Sequence, residues 1–145
     1  MKQVFRDAIA RIDFRTADGS LSRGTGFLVT DRLVLTARHV VADGGELVKG
    51  PLTLQFPGQA VKASVVEGCT DVESDWALLE CEESLDTPPL RLANLEEDGV
   101  QWTTFGFPRE MGPLGMAHGG TVRNAAAAVS ASQAFPSIQL FSDEA

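Results

Sequence analysis

Apolar and charged residues alternate through Ala10-Arg11-Ile12-Asp13-Phe14-Arg15, the period of two expected of a half-buried strand. Ala17-Asp18-Gly19-Ser20 follows as a turn. Residues 26–30 and 33–36 are short apolar runs joined at Asp31-Arg32, which predicts a tight hairpin. Residues 37–43, closed by Gly44-Gly45, have the length of one helical turn. Residues 52–56 and 60–67 predict a second strand pair about Pro57-Gly58. Residues 75–81 predict another strand, almost continuously apolar after its first position. Ser84-Leu85-Asp86-Thr87-Pro88-Pro89 interrupts the pattern, because paired prolines have no place in a central strand, and it marks a link between subdomains. Strands resume over residues 100–107, at 121–123 after a glycine-rich stretch, and over 136–141. Residues 124–134 are rich in Ala and Ser and fit a loop as well as a short helix. Many short strands separated by turns predict an all-β barrel or sandwich.

Composition narrows the function classes. The 145 residues are 43% hydrophobic and 22% charged, as in a folded globular protein rather than a disordered one. A net charge of −8 with no Lys/Arg cluster argues against a nucleic-acid partner. The N-terminus carries Lys2, Arg6, Asp7, Arg11 and Asp13, so its apolar runs are too short for a signal peptide or a membrane helix. Cys69 and Cys81 are then expected as reduced thiols in a cytoplasmic protein with no membrane partner.

Two segments carry candidate chemistry. His39 directly follows a buried strand end in Thr36-Ala37-Arg38-His39-Val40-Val41, and Asp75 opens an apolar strand in Ser74-Asp75-Trp76-Ala77-Leu78-Leu79. Imidazole takes and returns a proton near neutral pH, and a carboxylate on Nδ1 fixes its tautomer and stabilises the imidazolium. Taken singly, a His beside apolar residues is more often structural and an Asp before a strand is more often a turn residue. Trp76 and Trp102 read as core aromatics, Glu82-Glu83 and Glu96-Glu97-Asp98 as solvated faces, and His118 as a solvated loop residue.

The wording around His39 and Asp75 is more specific. Gly24-Thr25-Gly26-Phe27, then Leu35-Thr36-Ala37-Arg38-His39, resembles the trypsin-like, chymotrypsin-fold serine peptidases. Asp75-Trp76-Ala77-Leu78-Leu79 is similar to the segment that carries that family's Asp. Gly106-Phe107-Pro108 and Gly120-Thr121-Val122 are similar to landmarks of its second barrel, and the order matches. The resemblance implies a double β-barrel whose first barrel, residues 1–92, is complete and whose second, begun by residues 93–145, is incomplete. It implies His39 as general base and then acid, Asp75 as its orienter, and a protein or peptide as substrate, with no cofactor and no metal.

The family's nucleophile sits in a Gly-x-Ser-Gly segment that this sequence lacks. Ser20, Ser22, Ser64, Ser74, Ser84, Ser130, Ser132, Ser137 and Ser142 all lack the flanking glycines that shape an oxyanion hole, so the nucleophile is expected beyond residue 145. The fragment alone is then expected to be inactive, with the remainder of its own domain and regulatory domains as partners. Val40 stands where many secreted members have a cysteine, and no Ile-Val-Gly-Gly start is present. Both features resemble bacterial intracellular branches, whose members sit beside signalling or immune modules. The alternatives are an inactive pseudo-peptidase used as a binding or regulatory module, and a plain β domain in which His39 and Asp75 lie far apart. Cys69 and Cys81 read as thiols rather than nucleophiles, and a zinc site from Cys69, Cys81, His39 and His118 follows no known ligand spacing.

Overall fold

A computed structural model describes residues 3–92, 99, 101–107, 114–127 and 137–142. Helix α1 (Gln3–Asp7) leads into β1 (Ile9–Arg15), β2 (Leu21–Leu28) and β3 (Leu33–Thr36). A one-turn 3-10 helix (Arg38–Val41) and a small hairpin, β4 (Ala42–Asp43) with β5 (Glu46–Leu47), precede β6 (Leu52–Phe56), β7 (Gln59–Asp71) and β8 (Trp76–Cys81). Strands β9 (Gln101–Gly106), β10 (Met116–Ala127) and β11 (Ser137–Ser142) complete the order.

Six strands close into an antiparallel barrel in the order β1-β2-β3-β8-β7-β6. Alternation builds its interior: Ile12, Leu28, Val34, Leu54, Phe56, Leu79 and Cys81 are at most 1% exposed, while the residues between them face outward. Each such aliphatic or aromatic side chain contributes about 1.5–3 kcal/mol by leaving water. Where β7 leaves its partner, three extra residues bulge between the pairs Val65↔Leu79 and Thr70↔Ala77, with Gly68 at φ 79°. The bulge bends a strand too long for the barrel and carries its end to the mouth.

By backbone contacts the chain falls into two units, one of Met1–Arg91 with Gly106–Met116 and one of Leu92–Phe105 with Ala117–Ala145. The second holds an open three-stranded sheet, β9-β10-β11 with β10 in the middle. The fold is all-β, a closed barrel followed by an incomplete second set of strands.

Several local expectations change. The β2–β3 connection spans residues 29–32 rather than two, because Thr30 Oγ1 accepts the N–H of Arg32 (3.2 Å) and of Leu33 (3.0 Å) and rounds the turn. His118 lies on β10, not in a loop, and residues 124–127 continue that strand; residues 128–134 are outside the described residues. Trp76 is 38% exposed, on the outer face of β8, because the interior positions go to Ala77, Leu79 and Cys81. The side chain of Trp102 and the residues Glu96, Glu97 and Asp98 lie outside the described ones.

Candidate active site

Strand pairing places the two candidate segments side by side. β3 and β8 run antiparallel with Thr36 opposite Ala77, so the end of one strand meets the start of the other. The pairing continues past the end of β3 and the start of β8, where the Arg38 N–H donates to the Asp75 carbonyl at 3.2 Å. His39 and Asp75, 36 residues apart in sequence, are thereby neighbours at one end of the barrel.

The carboxylate uses both oxygens on His39. Its Oδ1 accepts the His39 backbone N–H at 2.9 Å, and Oδ2 lies 2.5 Å from the imidazole Nδ1. The bonds from the His39 ring and then from its backbone N–H hold the Asp75 carboxyl below the usual carboxylate range, so it is ionised at neutral pH. An ionised carboxylate on Nδ1 fixes the proton there and leaves Nε2 as the basic nitrogen. The His39 side chain is 74% exposed, and Nε2 has no hydrogen-bond partner among the described residues.

The His39 turn is fixed from beneath. Val40 and Val41, the two residues after the exposed His39, are buried. Val40 packs onto β2 at Gly24, where a Cβ would lie 2.4 Å and 2.5 Å from its two methyl carbons. Gly26 likewise makes room for Val34 and Ile12, whose methyls would lie 2.7 Å and 3.0 Å from a Cβ. Between these glycines the Thr25 carbonyl accepts the buried Thr36 hydroxyl at 2.8 Å, and the Thr25 hydroxyl accepts the Phe107 N–H at 2.8 Å. The Gly-Thr-Gly and Leu-Thr-Ala motifs therefore have a shared physical purpose, seating the turn that carries the histidine. Reading them as landmarks alone missed that role, although the small residues in an otherwise bulky strand were the signal.

Among the described residues of the barrel, none of the other candidates is hydrogen-bonded to His39. The Ser74 hydroxyl bonds Asp71, the Ser84 hydroxyl bonds Asp31 at 2.9 Å, and Ser22 reaches the Val40 carbonyl at 3.4 Å. Ser20 lies in the β1–β2 turn and Ser64 on β7, while Ser137 and Ser142 are on β11; Ser130 and Ser132 lie outside the described residues. Cys69 and Cys81 are free, and burial pushes the Cys81 thiol up, away from the reactive thiolate. Among the described residues no three His, Cys, Asp or Glu side chains gather as a metal cage.

The profile of the family described as trypsin-like peptidase domain matches residues 24–141. Among solved structures, the active form of the Rv3671c protease from M. tuberculosis superposes with a TM-score of 0.70 at 24% identity, over 94% of this chain and 58% of that one. A serine-to-alanine mutant of Rv3671c in an inactive form superposes with a TM-score of 0.60 at 25% identity, over 83% and 52%. This chain thus spans a little over half the length of the proteins it superposes on. No curated protein matches by sequence. With the family profile covering most of its length, and with a closed barrel of the same fold, the chain belongs to the trypsin-like peptidase domain family.

Proposed function

We propose that His39 and Asp75 are the base and the orienting carboxylate of a serine endopeptidase whose nucleophilic serine lies outside these 145 residues. The observation that carries this reading is the 2.5 Å approach of Asp75 Oδ2 to His39 Nδ1 on an exposed ring whose Nε2 has no partner among the described residues. In the complete enzyme Nε2 takes the serine proton as its oxygen attacks the peptide carbonyl, forming a tetrahedral intermediate. The same proton then passes to the leaving amine, and water repeats the sequence to release the acyl group. Asp75 holds the ring and stabilises the imidazolium, while backbone N–H groups near the serine stabilise the oxyanion. The scheme needs no cofactor, and the 145 residues alone are expected to cleave nothing.

The same reading assigns residues 1–92 to a first barrel and 93–145 to the opening of a second. It takes protein or peptide as substrate and a cytoplasmic setting, for which the support is the pair of free thiols at Cys69 and Cys81. No helix among the described residues is long and apolar enough to cross a membrane.

The complete protein is expected to label with a fluorophosphonate, a probe that needs an activated serine, and to lose labelling in His39→Ala. Asp75→Asn is expected to lower kcat about 10⁴-fold, as loss of that carboxylate does in a chymotrypsin-type triad. Near-normal turnover in Asp75→Asn would remove Asp75 from the mechanism. Failure of the complete protein to label would favour an inactive pseudo-peptidase serving as a binding module, which keeps the same His39–Asp75 geometry.

A further inference from the structure

Asp75 occupies an unusual backbone conformation. It closes the four-residue loop between β7 and β8, residues 72–75, at φ 55°. Among the described residues no other non-glycine residue has a positive φ. Glycine fills such a left-handed position at least cost, and Asp is one of the few side chains that tolerate it. The sequence therefore keeps a carboxylate where the loop alone would favour glycine, and something must hold the loop in that shape.

Asp71 stands at the loop entrance, paired across the ladder with Trp76 at the exit. Its Oδ2 accepts the Ser74 backbone N–H at 2.7 Å and also the Ser74 hydroxyl, in a short bond. One carboxylate oxygen thus grips, by two bonds, the residue immediately before Asp75. On the other side, the Asp75 carbonyl is tied to the Arg38 N–H. With Ser74 and its own carbonyl both held, the Asp75 backbone sits where its carboxylate reaches His39.

We propose that Asp71 is a positioning residue for the His39–Asp75 pair, acting through Ser74 to hold residues 72–75 in the shape that delivers the Asp75 carboxylate to the imidazole. Asp71 acts in catalysis only if His39 and Asp75 play the roles proposed above. It makes no hydrogen bond to His39 itself. The bonds from the Ser74 hydroxyl and backbone N–H hold the Asp71 carboxyl below its ordinary range, so the grip is charge-assisted at neutral pH.

The test is by NMR of the complete protein at neutral pH. Two signals report the pair: the imidazole Nδ1 proton, shifted far downfield when bonded to a carboxylate, and hydrogen exchange of the His39 backbone amide. The ring proton is assigned by its loss in His39→Ala and Asp75→Asn, and the residue 39 amide by sequential backbone assignment. Asp71→Ala is expected to speed exchange of both protons at least about tenfold, the size expected when a hydrogen bond to a charged group is lost. Amides of Ile12, Leu54 and Leu79 in the barrel are expected to keep their protection. Asp71→Asn, whose neutral amide oxygen still accepts from Ser74, is expected to speed exchange less than Asp71→Ala does, and Ser74→Ala to show part of the Asp71→Ala acceleration. Wild-type exchange at His39 in both Asp71→Ala and Ser74→Ala would overturn the proposal while leaving the pair intact. Loss of barrel protection in Asp71→Ala, with Ser74→Ala silent at His39, would likewise overturn it by making Asp71 a fold residue. Absence of both signals from the wild-type protein would instead bring down the His39–Asp75 reading itself.

Discussion

The Asp75 carboxylate is bound on both oxygens by a single residue, and this makes its ionisation a matter of structure as well as chemistry. Its pKa lies below the ordinary value because the charged form accepts the His39 ring and backbone N–H groups. A group depressed in the folded state stabilises the fold above its unfolded pKa, and that contribution is lost as pH falls through the folded value. The same sign applies to Asp18 in the β1–β2 turn. There the Thr16 hydroxyl and then the Ser20 backbone and hydroxyl groups lower the carboxyl from 3.8 to about 2. Asp18 accepts those bonds on Oδ1, from Thr16 at 2.5 Å and from Ser20 N–H at 2.9 Å. Carboxyl carbon titration is expected to place the Asp18 midpoint at about 2, with the turn amides of residues 16–20 shifting over the same range. A midpoint at an ordinary carboxylate value would show that the turn bonds do not form. At this scale the pair was readable in advance, since the motifs singled out His39 and Asp75 and the structure brings the two side chains into contact. What the motifs did not reveal is the conformation of Asp75, because a left-handed φ depends on loop length and on Asp71, not on the identity of residue 75 alone.

At the scale of elements, the site is held by close approach between β2 and the 3-10 helix. Gly24 is the contact point, and Val40 fills the space its missing side chain leaves. Gly24→Ala is expected to push Val40, and with it His39, away from β2, costing about 1–3 kcal/mol in urea unfolding, the usual penalty of overpacking. Val40→Ala in the same chain is expected to recover part of that loss, so the two changes couple in a double-mutant cycle. Strictly additive effects would mean that the turn is seated elsewhere. Strands β1 and β6 alternate apolar with polar residues, β3 and β8 are short apolar runs, and all four were legible for that reason. Strand β7 was read too short, ending at residue 67, because the bulge around Gly68 breaks the period while the backbone stays in the sheet. The small β4–β5 hairpin was missed because its two-residue strands are too short to show a period. Strand β10 was read only at residues 121–123, because Gly119, Gly120 and an alanine run are residue types with little preference for strands.

On the scale of the whole barrel, closure leaves no free edge among the six strands and encloses one continuous core. Cys81 sits inside that core with no exposed surface, whereas Cys69, beside the β7 bulge, is partly exposed. Alkylation by iodoacetamide in native buffer is therefore expected at Cys69, with Cys81 reacting only as urea unfolds the barrel, along the same transition seen by circular dichroism. Rapid native labelling of Cys81 would show that β8 opens independently of the rest. The Phe107 N–H bond to Thr25 extends the same unit beyond the sixth strand, since Phe107 is 3% exposed and its backbone is tied to β2.

The sequence by itself determined the all-β class and most of the barrel strands, and it offered His39 and Asp75 as candidates for proton transfer, because hydrophobic patterning and side-chain chemistry are local properties. Only the tertiary structure decided that His39 and Asp75 meet. Their encounter depends on the register that sets Thr36 opposite Ala77, on the bulge that brings the end of β7 to the barrel mouth, and on glycines that let a turn lie against a strand. Those are relations between segments far apart in the chain, and no single segment encodes them.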